Sequence, residues 1–211
     1  MISDALRHVI SGTAVIIVLV GGEVPKAEET ATEAIKSTIR DVYHILNNED
    51  LRTVGRAEER RRQLEKVIAN RLAYDEMAKR SLGAQWKQLN DEERQEFVQL
   101  FSQLLWDTYA SKLDQYSDEE VKFLNEKLEG PYAEVRTRLI GSKTNTAVDY
   151  RLLLRAAGWQ VYDIIVDDIS LVHSYREQFT SIIRKFSYQE LVVKLRQKSG
   201  EFKPLAQTST P

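Results

Sequence analysis

The 211-residue chain has no cysteine, which excludes disulfides, thiolate metal sites and cysteine nucleophiles. That absence suits an oxidising compartment without identifying one. Histidine is almost as scarce. His8, His44 and His173 are the only three, none stands in an H-E-x-x-H pattern, and no Asp/His clustering suits zinc. No glycine-rich loop matches a phosphate cradle, and no serine sits in a nucleophile elbow. Neither sign of charge dominates: the formal charge is −2, so nothing global marks a nucleic-acid binder. The aromatic residues are not interleaved with a basic strand face, as base stacking would require. Asp163, Asp167 and Asp168 come nearest to an acid–base set. Asp167-Asp168, however, falls in a turn beside a helix start, where acidic residues are ordinarily favourable.

What remains is a chain able to fold and stay soluble. The 42% hydrophobic fraction supports a sizeable core and the 29% charged fraction a wet surface. The N-terminus, MISDALRHVISGTAVIIVLVGG, places Arg7 and His8 before an apolar run from Val9 to Val20, then Gly21 and Gly22. That is the layout of a secretory signal peptide over 1–22, or to 27 if Ala27 marks its end. The run is short of the ~20 residues that span a bilayer. A cleaved leader and a retained anchor both fit it, and a domain over 28–200 with a disordered tail over 201–211 follows.

The patterning then runs from helix to sheet and back. Ile35, Ile39, Val42 and Ile45/Leu46 recur at helical spacing before Asn47-Asn48. A second helix is expected from about Ala57 to Leu82-Gly83, its first half strongly charged. In NDEERQEFVQLFSQLLWDTYASKL, Asn90 suits an N-cap, Glu93 the capping-box position, and Phe97, Leu100, Phe101, Leu104, Leu105 and Tyr109 a broad apolar face. From Glu120 the period changes to that of four strands, about 121–128, 132–140, 146–155 and 159–167. Gly130-Pro131, Gly141-Ser142 and Ala157-Gly158 punctuate them. Two helices close the chain, about 170–185 and 188–199. Helices, a sequential antiparallel meander, then helices predict an α+β domain. An exported domain rich in large apolar residues and without a reactive constellation points to binding.

Three blocks carry a resemblance. The first is YDEMAKRSLGAQWKQLNDEERQEFVQLFSQLL, with Tyr74-Asp75, Met77-Ala78, Leu82-Gly83, Trp86 and Glu96-Phe97. The second is EKLEGPYAEVRTRL, with Glu126, Gly130, Ala133, Val135 and Thr137. The third joins VDYRL to Trp159, Val161, Asp163, Ser170, Leu171, Tyr175, Arg176 and Phe179. In this order and spacing, over roughly residues 30–200, the chain resembles the MlaC/toluene-tolerance family of periplasmic phospholipid-binding proteins.

The resemblance implies a nuclear-transport-factor-like fold, with N-terminal helices, a four-stranded curved antiparallel sheet and C-terminal helices enclosing an apolar pocket. It implies a monomeric soluble carrier of phospholipid between inner and outer membranes, maintaining outer-membrane lipid asymmetry. Acyl tails would sit in the pocket and the headgroup largely in solvent. The implied partners are an inner-membrane ABC transporter complex with a lipid-binding ring and an outer-membrane lipoprotein–porin complex. No nucleic acid, metal or cofactor is implied beyond the lipid cargo. For the pocket lining, one strand face supplies Val148, Tyr150, Leu152 and Leu154. The helices supply Phe97, Phe101, Leu104 and Leu105, and the closing segment Leu171, Val172 and Tyr175. Any of these could equally be ordinary core. Trp86 and Trp159 read as packing residues, and Arg176 as a surface partner of a carboxylate or a contact for a headgroup phosphate. Two other readings fit this architecture. One is a small-molecule enzyme using a deep polar group such as Asp163 or Tyr150, and the other a ligand-free interaction module.

Overall fold

Asn90 and Glu93 set the first firm boundary. Glu93 N–H donates to Asn90 Oδ1 at 2.9 Å and Asn90 N–H donates to Glu93 Oε2 at 2.9 Å, so the expected capping box forms. The helix it starts is α4 in the computed structural model, which describes residues 29–53, 55–116, 119–142 and 145–197. The segments read as an export signal and a C-terminal tail lie outside the described residues. Among the described residues, no helix is long and apolar enough to cross a membrane.

Before α4 (Asp91–Tyr109) come α1 (Ala31–Leu46), α2 (Ala57–Arg71) and α3 (Tyr74–Leu82). The single helix expected from Ala57 to Leu82 is therefore two. Leu72 turns extended (φ −90°, ψ 135°) and bridges Val161, and the Ala73 N–H donates to the Val161 carbonyl at 2.8 Å. A contact with a distant strand ends the helix, with no glycine or proline at the break.

A 3₁₀ turn over Ala110–Tyr116 leads from α4 into the sheet. The strands are β1 (Glu120–Glu129), β2 (Tyr132–Ile140), β3 (Asn145–Arg155), β4 (Gly158–Val166) and the two-residue β5 (Ile169–Ser170). They pair antiparallel in sequence order. The fifth strand was not expected. It forms because Asp167 and Asp168 both adopt left-handed φ (45° and 66°), reversing the chain tightly enough for Ile169 and Ser170 to pair with Val166 and Ile165. Bulges at Leu124 in β1 and Tyr162 in β4 interrupt the register and bend the sheet. The closing helices are α5 (Leu171–Lys185) and α6 (Tyr188–Gln197).

Two kinds of packing follow. Helices α3 to α6 form a core of their own around Phe97, Phe101, Tyr175 and Phe179. Phe101 meets Tyr175 and Phe179 edge-on, at centroid distances of 5.5 and 5.9 Å. Separately, α1 touches down on the sheet at its N-terminal end. There Ala31 and Ala34, both fully buried, allow close approach to Ala133, Val135, Leu152 and Val161. That end is fixed by two acceptors. Thr30 Oγ1 takes the Glu33 N–H at 3.1 Å, and Glu126 of β1 takes the Thr32 N–H at 2.7 Å.

Candidate functional site

Beyond its touchdown α1 leaves the sheet, and the space between them is a cavity of about 790 Å³, within the size range of small-molecule sites. Its roof is the stripe Ile35, Ile39, Val42 and Leu46 on α1, joined by Ile68 of α2 and by Leu72 just beyond it. Leu105, Trp106 and Tyr109 close it from the C-terminal end of α4. Its floor is the inner face of the sheet: Val121, Leu139, Val148, Tyr150, Val161, Ile164 and Val166. Most of the wall is hydrocarbon.

Several polar groups in the wall are held by protein partners. Arg71 donates through Nε to Thr38 Oγ1 at 2.8 Å and through Nη1 to the Trp159 carbonyl at 2.7 Å. Tyr43 donates its hydroxyl to the Glu119 carbonyl at 2.7 Å, and the Thr137 hydroxyl donates to the Val148 carbonyl. Burial pushes the Tyr150 phenol well above its ordinary value, so it stays neutral at any physiological pH. Tyr74, also on the wall, is pushed up to about 12, first by burial and then by the charge of Glu65.

The pocket-lining expectation divides here. Leu105, Val148, Tyr150 and Leu171 line the cavity. Phe97, Phe101, Leu104, Val172 and Tyr175 do not, because the broad face of α4 meets α5 and α6 instead, and only its last turns reach the cavity. Leu152 and Leu154 lie on the correct strand face, but past the point where α1 touches down. Leu152 is fully buried in that contact, and Leu154 packs against the same cluster. Trp159 packs there too, as expected. Arg176, read from the sequence as a surface partner of a carboxylate or a headgroup contact, lies elsewhere. Its guanidinium lies across Gly83, where a Cβ would come within 3.0 Å of Nε, and it is not part of the cavity wall.

Asp163 is buried (4% exposed) yet faces away from the cavity. Its carboxylate accepts from Ser170 Oγ at 2.7 Å and from the Val172 N–H at 3.1 Å, with Arg151 at 3.5 Å. Ser170 Oγ in turn accepts the His173 N–H at 3.0 Å. The residue is thus engaged at the start of α5, which removes it as the deep polar group of an enzyme site. The lining residues that the sequence reading missed, on α1 and α2, carried a legible signal in the helical spacing of Ile35, Ile39 and Val42. That stripe reads as core until the gap beneath it is known.

Comparison with known proteins agrees with this architecture. The model of the family described as "MlaC protein" matches residues 36–197. A curated relative from Haemophilus influenzae, the intermembrane phospholipid transport system binding protein MlaC, is 23% identical over 126 residues. That match spans 57% of this chain and 59% of the relative's length. A solved structure of a phospholipid-binding protein from Ralstonia solanacearum, in complex with a phospholipid, superposes with a TM-score of 0.72 at 25% identity. It covers 83% of this chain and 99% of the other.

Proposed function

The chain belongs to the MlaC protein family, and from that premise we propose that it is a soluble phospholipid carrier of an intermembrane transport system. The observation that carries the reading is the hydrocarbon-walled cavity between α1 and the sheet. The complex of the Ralstonia solanacearum protein with a phospholipid supports the choice of cargo. Acyl tails occupy the cavity, with Val148, Tyr150, Leu105 and Leu171 among the residues touching them.

Transfer free energies explain why such a site is needed. Each buried methylene is worth ~0.8 kcal/mol, so a chain of about 14 resists leaving a bilayer by on the order of 11 kcal/mol. A cavity that is equally dry offsets most of this. Deep polar anchors would hold the lipid too firmly for hand-over, and Tyr43 and Arg71 in the wall are instead turned to protein partners. The carrier works in the periplasm, reached through its N-terminal export segment. It exchanges cargo with an inner-membrane ABC transporter complex and an outer-membrane lipoprotein–porin complex, and it catalyses no reaction.

Protein produced with its own export segment, purified without detergent and extracted with organic solvent, tests the reading by lipid mass spectrometry. Phospholipid close to stoichiometric with protein is expected. Protein that is folded yet carries no phospholipid, and takes none up from vesicles, would overturn it.

A further inference from the structure

The cavity has a closed end and an open one. At the closed end Ile35 of the roof and Val161 of the floor are almost fully buried, and behind them Leu152, fully buried, shares a packed cluster with Ala31 and Ala34. Towards the other end of the sheet Leu139, Val148, Ile164 and Val166 are only half-buried, and Asn145 at the edge of the wall is exposed. The polar wall residues Glu119, Asn145 and Thr146 gather at that end, where Glu120 pairs with Ile140 and Ile140 with Asn145. Hydrocarbon therefore enters past Asn145 and stops at Ile35 and Leu152.

Backbone geometry fixes the depth between those ends. The lining of β3 runs from Asn145 to Tyr150, about 17 Å at ~3.4 Å per residue. The lining of α1 runs from Ile35 to Leu46, about 16 Å at ~1.5 Å per residue. Two ties keep the roof from sliding over the floor. The Thr32 N–H donates to Glu126 at 2.7 Å, and the Tyr43 hydroxyl donates to the Glu119 carbonyl at 2.7 Å. Carbon–carbon bonds of ~1.5 Å advance an extended chain by about 1.3 Å each, so about 13 methylenes reach from mouth to stop. The volume leads independently to the same number. A methylene fills about the ~30 Å³ of a water molecule, so a cavity of about 790 Å³ holds about 26, or about 13 for each of two tails.

We propose that the cavity measures acyl length: it admits the tails of a phospholipid to a depth of about 13 methylenes each, and Ile35 and Leu152 form the stop that disfavours longer ones. The inference rests on the carrier reading above. In a bilayer every methylene of a longer tail is buried, whereas in the cavity the surplus is held out in water at the mouth. Each methylene left outside lowers the carrier's share of that lipid roughly fourfold. Tails that fit entirely are as well buried in the protein as in the bilayer, and among them length makes no difference.

The full chain is equilibrated with vesicles containing equal amounts of three choline phospholipids, whose paired monounsaturated tails have fourteen, sixteen or eighteen carbons. The protein is recovered and its lipid quantified by mass spectrometry. The fourteen-carbon class is expected to exceed the eighteen-carbon class roughly tenfold or more, since each methylene kept outside counts for a factor of about four. Ile35→Ala and Leu152→Ala each deepen the closed end and should bring that ratio towards one. Slow desorption of the longer lipid from vesicles would bias every variant alike, so the shift between variants isolates the stop. Thermal melts establish which variants are folded, and Ile35→Ala, which trims a side chain facing the cavity, carries the comparison if Leu152→Ala does not fold. Equal recovery of the three classes by the unsubstituted protein overturns the length selection while leaving carriage standing. Enrichment that survives unchanged in the folded variants overturns it as well. Recovery of no phospholipid of any length overturns the carrier reading itself.

Discussion

The carboxylate of Asp163 accepts the backbone N–H of Val172 at 3.1 Å, tying β4 to the first turn of α5. Ser170, the N-cap of α5, donates to the same carboxylate at 2.7 Å while accepting from His173. One buried side chain therefore satisfies the helix start and orients its cap. Asp163→Ala should destabilise the protein by about 2–3 kcal/mol, since it strips a charged acceptor from buried donors. Ser170→Ala should cost ~1 kcal/mol. Urea unfolding of both single variants and the double variant measures this. The two losses should be less than additive, because the groups share one network. Strict additivity would separate them.

A second prediction distinguishes cavity from core on a single strand face. Val148 lines the cavity, whereas Leu152, four residues along β3 on the same face, is fully buried under α1. Leu152→Ala should cost about 2–5 kcal/mol by leaving an unfilled void. Val148→Phe enlarges a side chain beside empty space, so it should change the unfolding midpoint little and lower the lipid recovered per protein. Urea titration paired with lipid quantification reads both. If Leu152→Ala is neutral and Val148→Phe unfolds the protein, the cavity is placed wrongly.

That contrast also marks how far the sequence could be read. The capping box at Asn90 and Glu93, the alternation of Val148 and Tyr150, and the turns at Gly130 and Gly158 are local signals, and each forms as its local chemistry dictates. The break between α2 and α3 is not local. Leu72 leaves the helix to bridge Val161, a strand residue far along the chain. The bulge at Tyr162 is equally hidden. Strict alternation from Trp159 would put Asp163 and Ile165 on the cavity face, but the unpaired Tyr162 reverses the phase, so that Ile164 and Val166 face inward. A one-residue irregularity thus decides which side chains the ligand meets. The span of the cavity along β3 was likewise illegible, because it depends on where two small residues, Ala31 and Ala34, let α1 touch the sheet.

Acid should loosen the attachment of α3 to the sheet. Asp75 takes a two-pronged hydrogen bond from Arg155, at 3.0 and 2.9 Å, across from the end of β3. Burial pushes the Asp75 carboxyl up, but the hydrogen bond and charge of Arg155 outweigh it and hold the group below its ordinary 3.8. A carboxyl depressed in the folded state contributes stability that is present above its unfolded value and lost as pH falls through the folded one. Because the Asp75 side chain is 57% exposed, solvent screening limits the contribution to under about 1 kcal/mol. Asp75→Asn should lower the urea midpoint between pH ~5 and 7 and lose that difference below about pH 4. A difference that grows in acid would contradict the assignment.

The account turns on acyl chains lying between α1 and the sheet, and a crystal structure of the protein purified without detergent or solvent extraction measures this most directly. Tail density against Ile39, Val42, Val148 and Ile164 is predicted, with the helical core around Phe97 and Phe179 free of lipid. A cavity filled by repacked side chains, or lipid density only among α4, α5 and α6, would contradict it.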